Sequence, residues 1–575
     1  MKYFLRITSF LLLGSLLACQ SPTSKKEVAA QDQYRRGELP VQEGMALFNQ
    51  NCASCHNFSS NEIGPNLSGI TAAVSKDWLK QFIQNPQQMI ADGDERASAQ
   101  FEKFKVYMPA FSQFDDNQLE NLLGFIHKFS EGEKRNKSNR KGGLVNPIPE
   151  KIAPATHALV VEDFVTLPAS APNAPDTRIN TFRPLQTKQK ERLFVADLRG
   201  VLFEIMDGKP HPFLDINQWV GNFIDRPGLG SGLGSFAFHP EFERNGLLYT
   251  THTEPANTQK ADFAVPEGAK STLQWVISEW QMEDPNAGVF AGQRRELLRV
   301  DMVTGIHGFQ DLTFNPTAKP GSADYGLLYL GIGDGGAALA GHPEICQNET
   351  SIWGSIIRID PSGNNSKNKN YGIPKDNPYA DQPNKVGEIW SRGFRNPHRI
   401  AWNEKGEKML VSNIGQHSVE EVNLISKGGD FGWPYREGSF VFDVNANPEM
   451  VYPLDQEEKG SFLNPVIQYD HDEGNAVSGG YFYWGKKIPS LKGKYIFGDI
   501  ARGTLFMADE AQLEQGKAAP LQKVNLVVNG TPTSFQEIRP NERVDLRFGQ
   551  DHKGDLYVFT KSNGKVYRVM DFIKI

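Results

Sequence analysis

Six short apolar runs recur along the C-terminal three quarters of the chain. They are Leu193-Phe194-Val195-Ala196-Asp197, Leu247-Leu248-Tyr249-Thr250, Leu327-Leu328-Tyr329-Leu330, Met409-Leu410-Val411-Ser412, Tyr495-Ile496-Phe497-Gly498 and Leu556-Tyr557-Val558-Phe559. Most follow a Gly or Lys turn signal, and polar loops separate them. Units of strand and loop repeating at roughly 54 to 86 residues, with room for four short strands each, predict a β-propeller with large loops. Six markers predict six blades over residues 156–575. Glycine (54 residues), proline (35) and 11% aromatic residues suit such a turn-rich all-β body. The last strands, Gly554 to Val569, are expected to pair with the first ones near 156–165.

At 575 residues the chain is too long for one core. Residues 40–130 carry a different period. Val41, Met45 and Phe48 recur at helical spacing, and Ser75 is placed to cap a helix bearing Trp78, Leu79, Phe82 and Ile83. Asp115 and Asp116 open another, with Leu119, Leu122, Leu123, Ile126 and Phe129 on one stripe. The first helix leads into Cys52-Ala53-Ser54-Cys55-His56, the C-x-x-C-H pattern of covalent haem attachment. Cys52 and Cys55 are the thioether sites and His56 the iron ligand. A short disulfide or a zinc fragment would share the cysteines. A zinc site needs two more close Cys or His ligands, and the other cysteines are Cys19 and Cys346.

Residues 131–155, charged with Gly and Pro, read as a linker. At the N-terminus, Lys2 and Arg6 precede an apolar run too short to span a bilayer, so residues 1–18 read as a secretory signal. Leu16-Leu17-Ala18-Cys19 resembles a bacterial lipobox. That likeness implies lipidation of Cys19 and a lipid-anchored place in the cell envelope, on the periplasmic side or the outer membrane, while residues 19–39, polar and Ser/Lys/Gln-rich, read as a tether. A net charge of −7 gives no reason to expect a nucleic-acid partner.

The helical segment resembles class I cytochrome c. Ile63-Gly64-Pro65-Asn66-Leu67 is similar to that family's loop behind the histidine, and Tyr107-Met108-Pro109-Ala110-Phe111 to its sixth-ligand loop. The resemblance implies Met108 opposite His56 on the iron of haem c, a pair that favours a high reduction potential.

The β region resembles the soluble PQQ-dependent glucose/sorbosone (aldose sugar) dehydrogenases. The likeness rests on Gly232-Leu233-Gly234-Ser235-Phe236-Ala237-Phe238-His239-Pro240, on Gly331-Ile332-Gly333-Asp334-Gly335-Gly336 with Arg358-Ile359-Asp360-Pro361, and on Gly393-Phe394-Arg395-Asn396-Pro397. Asn413-Ile414-Gly415-Gln416, Asp499-Ile500-Ala501-Arg502-Gly503 and Lys427-Gly428-Gly429-Asp430-Phe431-Gly432-Trp433-Pro434 extend it. It implies His239 as general base, and Arg395, Asn396 and Arg502 as contacts to PQQ. It also implies the Gly415 and Gln416 carbonyls as ligands of a cofactor-bound Ca²⁺, and Glu420 with Glu421 at a structural Ca²⁺. Gln416 departs from the proline usual there.

Together these expectations describe a quinohaemoprotein oxidising a sugar or other alcohol. Electrons would pass to its own haem and on to a respiratory acceptor. The rival expectation is a non-catalytic binding propeller, resembling hedgehog-interacting proteins, joined to an electron-transfer domain.

Overall fold

The computed structural model describes residues 34–52, 55–58, 61, 63–130, 138, 140–172, 175–226, 228–455, 462–538, 543–561 and 563–575. The expected leader, Cys19 and most of the expected tether lie outside them, as does most of 131–139.

Helices come first. They are α1 (Glu38–Asn51), α2 (Ile70–Ala73), α3 (Lys76–Gln84), α4 (Pro86–Ala91), α5 (Glu95–Phe104) and α6 (Asp116–Ser130). Ser75 Oγ caps α3 by accepting from Trp78 N (3.3 Å). Asp115 and Gln118 cap α6 reciprocally, Gln118 N donating to Asp115 Oδ1 (2.8 Å) and Asp115 N to Gln118 Oε1 (3.1 Å). Helix α1 crosses α6 closely because Gly44 has no side chain: a Cβ there would lie 1.9 Å from the Asn121 carbonyl. Val41, Phe48, Leu119, Leu122, Leu123 and Ile126 are buried in the resulting core together with Cys52. Each large apolar side chain there contributes roughly 2 kcal/mol by leaving water.

From Ala153 onward the chain is β-rich and propeller-like. Three sheets have four strands each, and a larger one has thirteen. The large sheet forms because strand Ala153–Thr166 pairs antiparallel with Lys565–Lys574 and parallel with Gln522–Val528. A second parallel contact, Phe182 against Gly549, joins Ile179–Gln186 to Leu546–Gln550. The expected pairing of the chain's end with its earliest strands is therefore present.

The leading strands of the successive four-strand groups pack side by side. Ile179–Gln186 lies against Ser235–Phe238, which lies against Phe309–Phe314, followed by Pro397–Trp402, Val477–Phe482 and Leu546–Gln550. Buried charge ties them together. Asp311 accepts from Arg183 Nη2 (2.5 Å), Ser235 Oγ (3.1 Å) and Ile400 N (3.0 Å). Arg399 donates to the carbonyls of Gln310 (2.8 Å) and Asn180 (2.6 Å). Such a carboxylate, with its donors supplied by three different strands, is satisfied only when the strands stand together.

Candidate functional site

The haem crevice is built at the end of α1. His56 Nδ1–H donates to the Pro65 carbonyl (2.8 Å), which leaves Nε2 with its lone pair free to meet a metal. Burial holds the imidazole pKa below its ordinary value, with the Pro65 bond only partly offsetting that, so the ring is neutral and ligand-competent. Gly64 lets the loop pass the ring, since a Cβ there would sit 2.5 Å from His56 Cε1. Cys52 is buried, Cys55 half-buried, and neither is in a disulfide. Burial first, then Cys55, pushes the Cys52 thiol up to about 12. Met108 packs on the same apolar cluster as Cys52. An apolar cluster beside two cysteines outside any disulfide and an oriented imidazole fits haem c.

A second cluster lies where the leading β strands begin. In the hairpin Phe309–Phe314/Leu328–Ile332, Phe309 pairs with Ile332. Two residues further out on each side, His307 and Asp334 therefore meet, with His307 Nδ1–H donating to Asp334 Oδ1 at 2.7 Å. His307 holds φ 55°, the left-handed region that non-glycine residues enter at a cost and that recurs at functional sites. Asp334 is buried and also accepts from Gly336 N (2.7 Å) and Trp433 Nε1 (3.0 Å). Burial raises its pKa, but His307, Arg395 and the Gly336 amide more than offset that, and the carboxyl lies below its ordinary range.

Arg395 is drawn into the same place. Asp334 N donates to its carbonyl (2.8 Å), and Gly333 has no side chain to hold His307 and Arg395 apart. The Arg395 guanidinium lies 5.8 Å from the Trp433 ring centre and donates from Nε to Gln416 Oε1 (2.9 Å). Asn396 N is fixed by Asn413 Oδ1 (2.8 Å), and Asn396 Oδ1 is buried with no partner. His398 Nδ1 is likewise buried and unpartnered, and burial followed by Arg399, Arg547 and Lys561 holds that ring neutral. Burial also holds the Lys561 pKa well down, with Arg547, Arg178 and Arg543 adding to the effect against Asp545. Arg547 is itself pushed down to about 9, first by burial. These buried cationic side chains, with Asp545 as a counter-charge, and the orphaned Asn396 and His398 atoms make a setting that suits an anionic partner. A quinone tricarboxylate such as PQQ fits that setting.

Gly415 and Gln416 stand on a clamped loop. The amides of Gln416, His417, Ser418 and Val419 all donate to Glu437 Oε1 at 2.8–2.9 Å. That clamp supplies the rigidity a proline would otherwise give.

Three expected roles are placed differently. His239 ends strand Ser235–Phe238, where Nδ1 accepts from Glu241 N (3.0 Å) and packs beside Asn245 Nδ2 (2.9 Å). Its ring meets Phe314, the last residue of the neighbouring strand Phe309–Phe314, 5.5 Å between centres. At about 3.3 Å per residue this is on the order of 20 Å from Arg395, which precedes the start of its own strand. The structure brings His307, not His239, to Arg395. Glu420 and Glu421 are consecutive in strand Val419–Leu424, so their side chains leave on opposite faces and do not converge on one ion. Glu420 binds His471 Nε2 (3.0 Å) and Val477 N (2.8 Å), while Glu421 binds Asn413 and Asn423. Among the described residues no group of three or more His, Cys, Asp and Glu has metal-holding geometry. Arg502 uses its guanidinium on Asn475 Oδ1 (2.8 Å) and the carbonyls of Asp472 (2.8 Å) and His471 (2.6 Å), and so braces a loop. A cavity of about 710 Å³ opens at the opposite ends of the leading strands, lined by Pro184, Thr313, Trp402 and Gln550 among others, away from His307.

A propeller-like β body with a His307–Asp334 pair beside Arg395, joined to a haem crevice, defines a haem-containing oxidoreductase. The chain belongs to the Glucose / Sorbosone dehydrogenase family, which it matches over residues 185–568, and residues 41–130 match Cytochrome c. It is 27% identical over 414 residues to HIPL2 protein of Arabidopsis thaliana, covering 62% of this chain and 55% of that one. Against Aldose sugar dehydrogenase YliI of Escherichia coli it is 23% identical over 390 residues, 65% of this chain and 88% of that one. A crystal structure of glucose dehydrogenase shares the fold at TM-score 0.51 and 19% identity, over 69% of this chain and 97% of that one.

Proposed function

We propose that the protein is a PQQ-dependent sugar or alcohol dehydrogenase that delivers electrons to its own haem c. The observation that carries this reading is the His307–Asp334 pair set against Arg395 and Asn396, in a chain that also holds the Cys52, Cys55 and His56 crevice. His307, oriented through Nδ1 by Asp334, takes the substrate hydroxyl proton on Nε2. Asp334 fixes the tautomer and stabilises the imidazolium that results. Arg395, Asn396 and the Lys561–Arg547 cluster hold and orient the anionic cofactor. The carbonyls of Gly415 and Gln416 are suited to a calcium ion on it. When bound, PQQ would supply two-electron oxidation of the substrate carbon and haem c would supply single-electron transfer.

The packed succession of six leading strands supports a six-bladed propeller. The lipobox-like Cys19 supports anchoring in the cell envelope, with a respiratory carrier as acceptor. Apoprotein should gain dye-linked dehydrogenase activity only when PQQ and Ca²⁺ are both added, and should lose it in His307→Ala. An apoprotein that binds neither, and oxidises no aldose or alcohol, would favour the binding-propeller reading instead.

A further inference from the structure

The propeller's 436–452 excursion touches the helical domain beside the haem crevice. It starts at the hairpin Arg436–Glu437/Phe440–Val441, whose Glu437 clamps the 416–419 loop. It ends in a turn where Glu449 Oε1 accepts from both Asn61 N (3.2 Å) and Asn61 Nδ2 (3.0 Å). Asn61 Oδ1 in turn accepts from Asn66 N (2.9 Å), next to the Pro65 carbonyl that orients His56. The connecting segment is bound to the same turn. Leu144 N donates to the Val451 carbonyl (2.8 Å), Ser138 N to that of Asn445 (3.0 Å), and Arg140 lies 3.8 Å from Asp443. Gly143 passes so close that a Cβ would lie 2.8 Å from Met450 Sδ.

We propose that this turn is an intramolecular dock that seats the histidine side of the haem crevice on the propeller, with Glu449 as its positioning residue. The excursion links the two candidate sites through few bonds: Arg395 to Gln416, the Gln416 loop to Glu437, the hairpin to Glu449, and Asn61 to the His56 loop. A carboxylate taking two donors from one asparagine holds both distance and orientation, which a flexible linker alone does not. The consequence for electron delivery rests on the dehydrogenase reading; the dock itself does not.

The test uses haem-loaded full-length protein with PQQ and Ca²⁺, comparing wild type, Glu449→Ala and Glu449→Gln. Hydrogen exchange reads the dock directly: Ala should speed exchange in the 61–67 and 443–452 peptides together, and Gln, which keeps an acceptor oxygen, should restore protection. Stopped-flow haem reduction by substrate should slow about tenfold in Glu449→Ala, the factor equivalent to about 1.4 kcal/mol, the scale of a hydrogen bond to a charged group. Dye-linked turnover, which bypasses the haem, should stay at the wild-type rate. Unchanged exchange in Glu449→Ala overturns the dock. Faster exchange with wild-type haem reduction overturns its role in electron delivery. A wild-type haem that no substrate reduces would refute the dehydrogenase reading instead, with the exchange result still deciding the dock.

Discussion

Asp334→Asn is the substitution that separates a working His–Asp pair from a merely structural one. The wild-type carboxylate accepts on Oδ1 from His307 and Gly336 N, and on Oδ2 from Trp433 Nε1. An asparagine must turn its NH₂ toward one side or the other, so a buried donor then faces a donor at a cost of about 1–3 kcal/mol. The imidazolium formed on proton abstraction also loses its paired charge. Positioned general bases contribute about 10²–10⁴-fold, and kcat in Asp334→Asn should fall within that range, close to the fall in His307→Ala. Dye-linked steady-state assays with PQQ and Ca²⁺ measure this. His239→Ala, some 20 Å away by strand geometry, should stay near wild type. The carboxyl lies below its ordinary range, so the stability it contributes is present above the unfolded value of about 3.9. That contribution is lost as pH falls through the folded value. Unchanged kcat in Asp334→Asn, or a loss in His239→Ala as deep as in His307→Ala, would refute the assignment.

Gly64→Ala should displace the His56 ring, because the new Cβ would lie 2.5 Å from Cε1. The haem should then bind exogenous ligands and shift in midpoint potential, and an unaltered spectrum and potential would contradict the crevice geometry. Burial, with Glu437 and Glu420 adding to it, pushes Glu421 up to about 7 despite the Asn413 and Asn423 bonds. A raised carboxyl gives stability that is full below the unfolded value and lost as pH rises through about 7. Glu421→Gln should therefore raise Tm at pH 8 more than at pH 5, by the equivalent of up to about 3 kcal/mol; equal gains at both pH values would show that Glu421 does not titrate there.

The haem crevice was legible because its chemistry is local: Cys52, Cys55 and His56 are neighbours in sequence, and Ser75 and the Leu119–Ile126 stripe mark their helices. Helix α5 was not, because Ala97 and Phe101 are the only buried side chains in a polar stretch. The strand markers carried the propeller-like body and the pairing of its ends, but not the parallel contacts that merge strands into a thirteen-stranded sheet. Those depend on edges meeting across hundreds of residues. The Gly-Ile-Gly-Asp motif was visible, yet its partner His307 emerges only once the register of Phe309 on Ile332 is known. A histidine two residues before a strand, opposite an aspartate two residues after its antiparallel neighbour, is the signal that would have found it. Glu420 and Glu421 look like one acidic pair in the sequence, and the alternation of a strand separates them. The buried cations Lys561 and Arg547 carry no motif; only burial distinguishes them from surface residues.

In the proposed circuit one chain both oxidises the substrate and receives its electrons. Oxidised holoprotein carrying haem c, PQQ and Ca²⁺ should be mixed anaerobically with a panel of aldoses and alcohols while the haem absorption spectrum is followed. Conversion to the reduced haem spectrum is expected with at least one of them, and none in His307→Ala. A wild-type haem that stays oxidised with every substrate, while a chemical reductant reduces it normally, would contradict it.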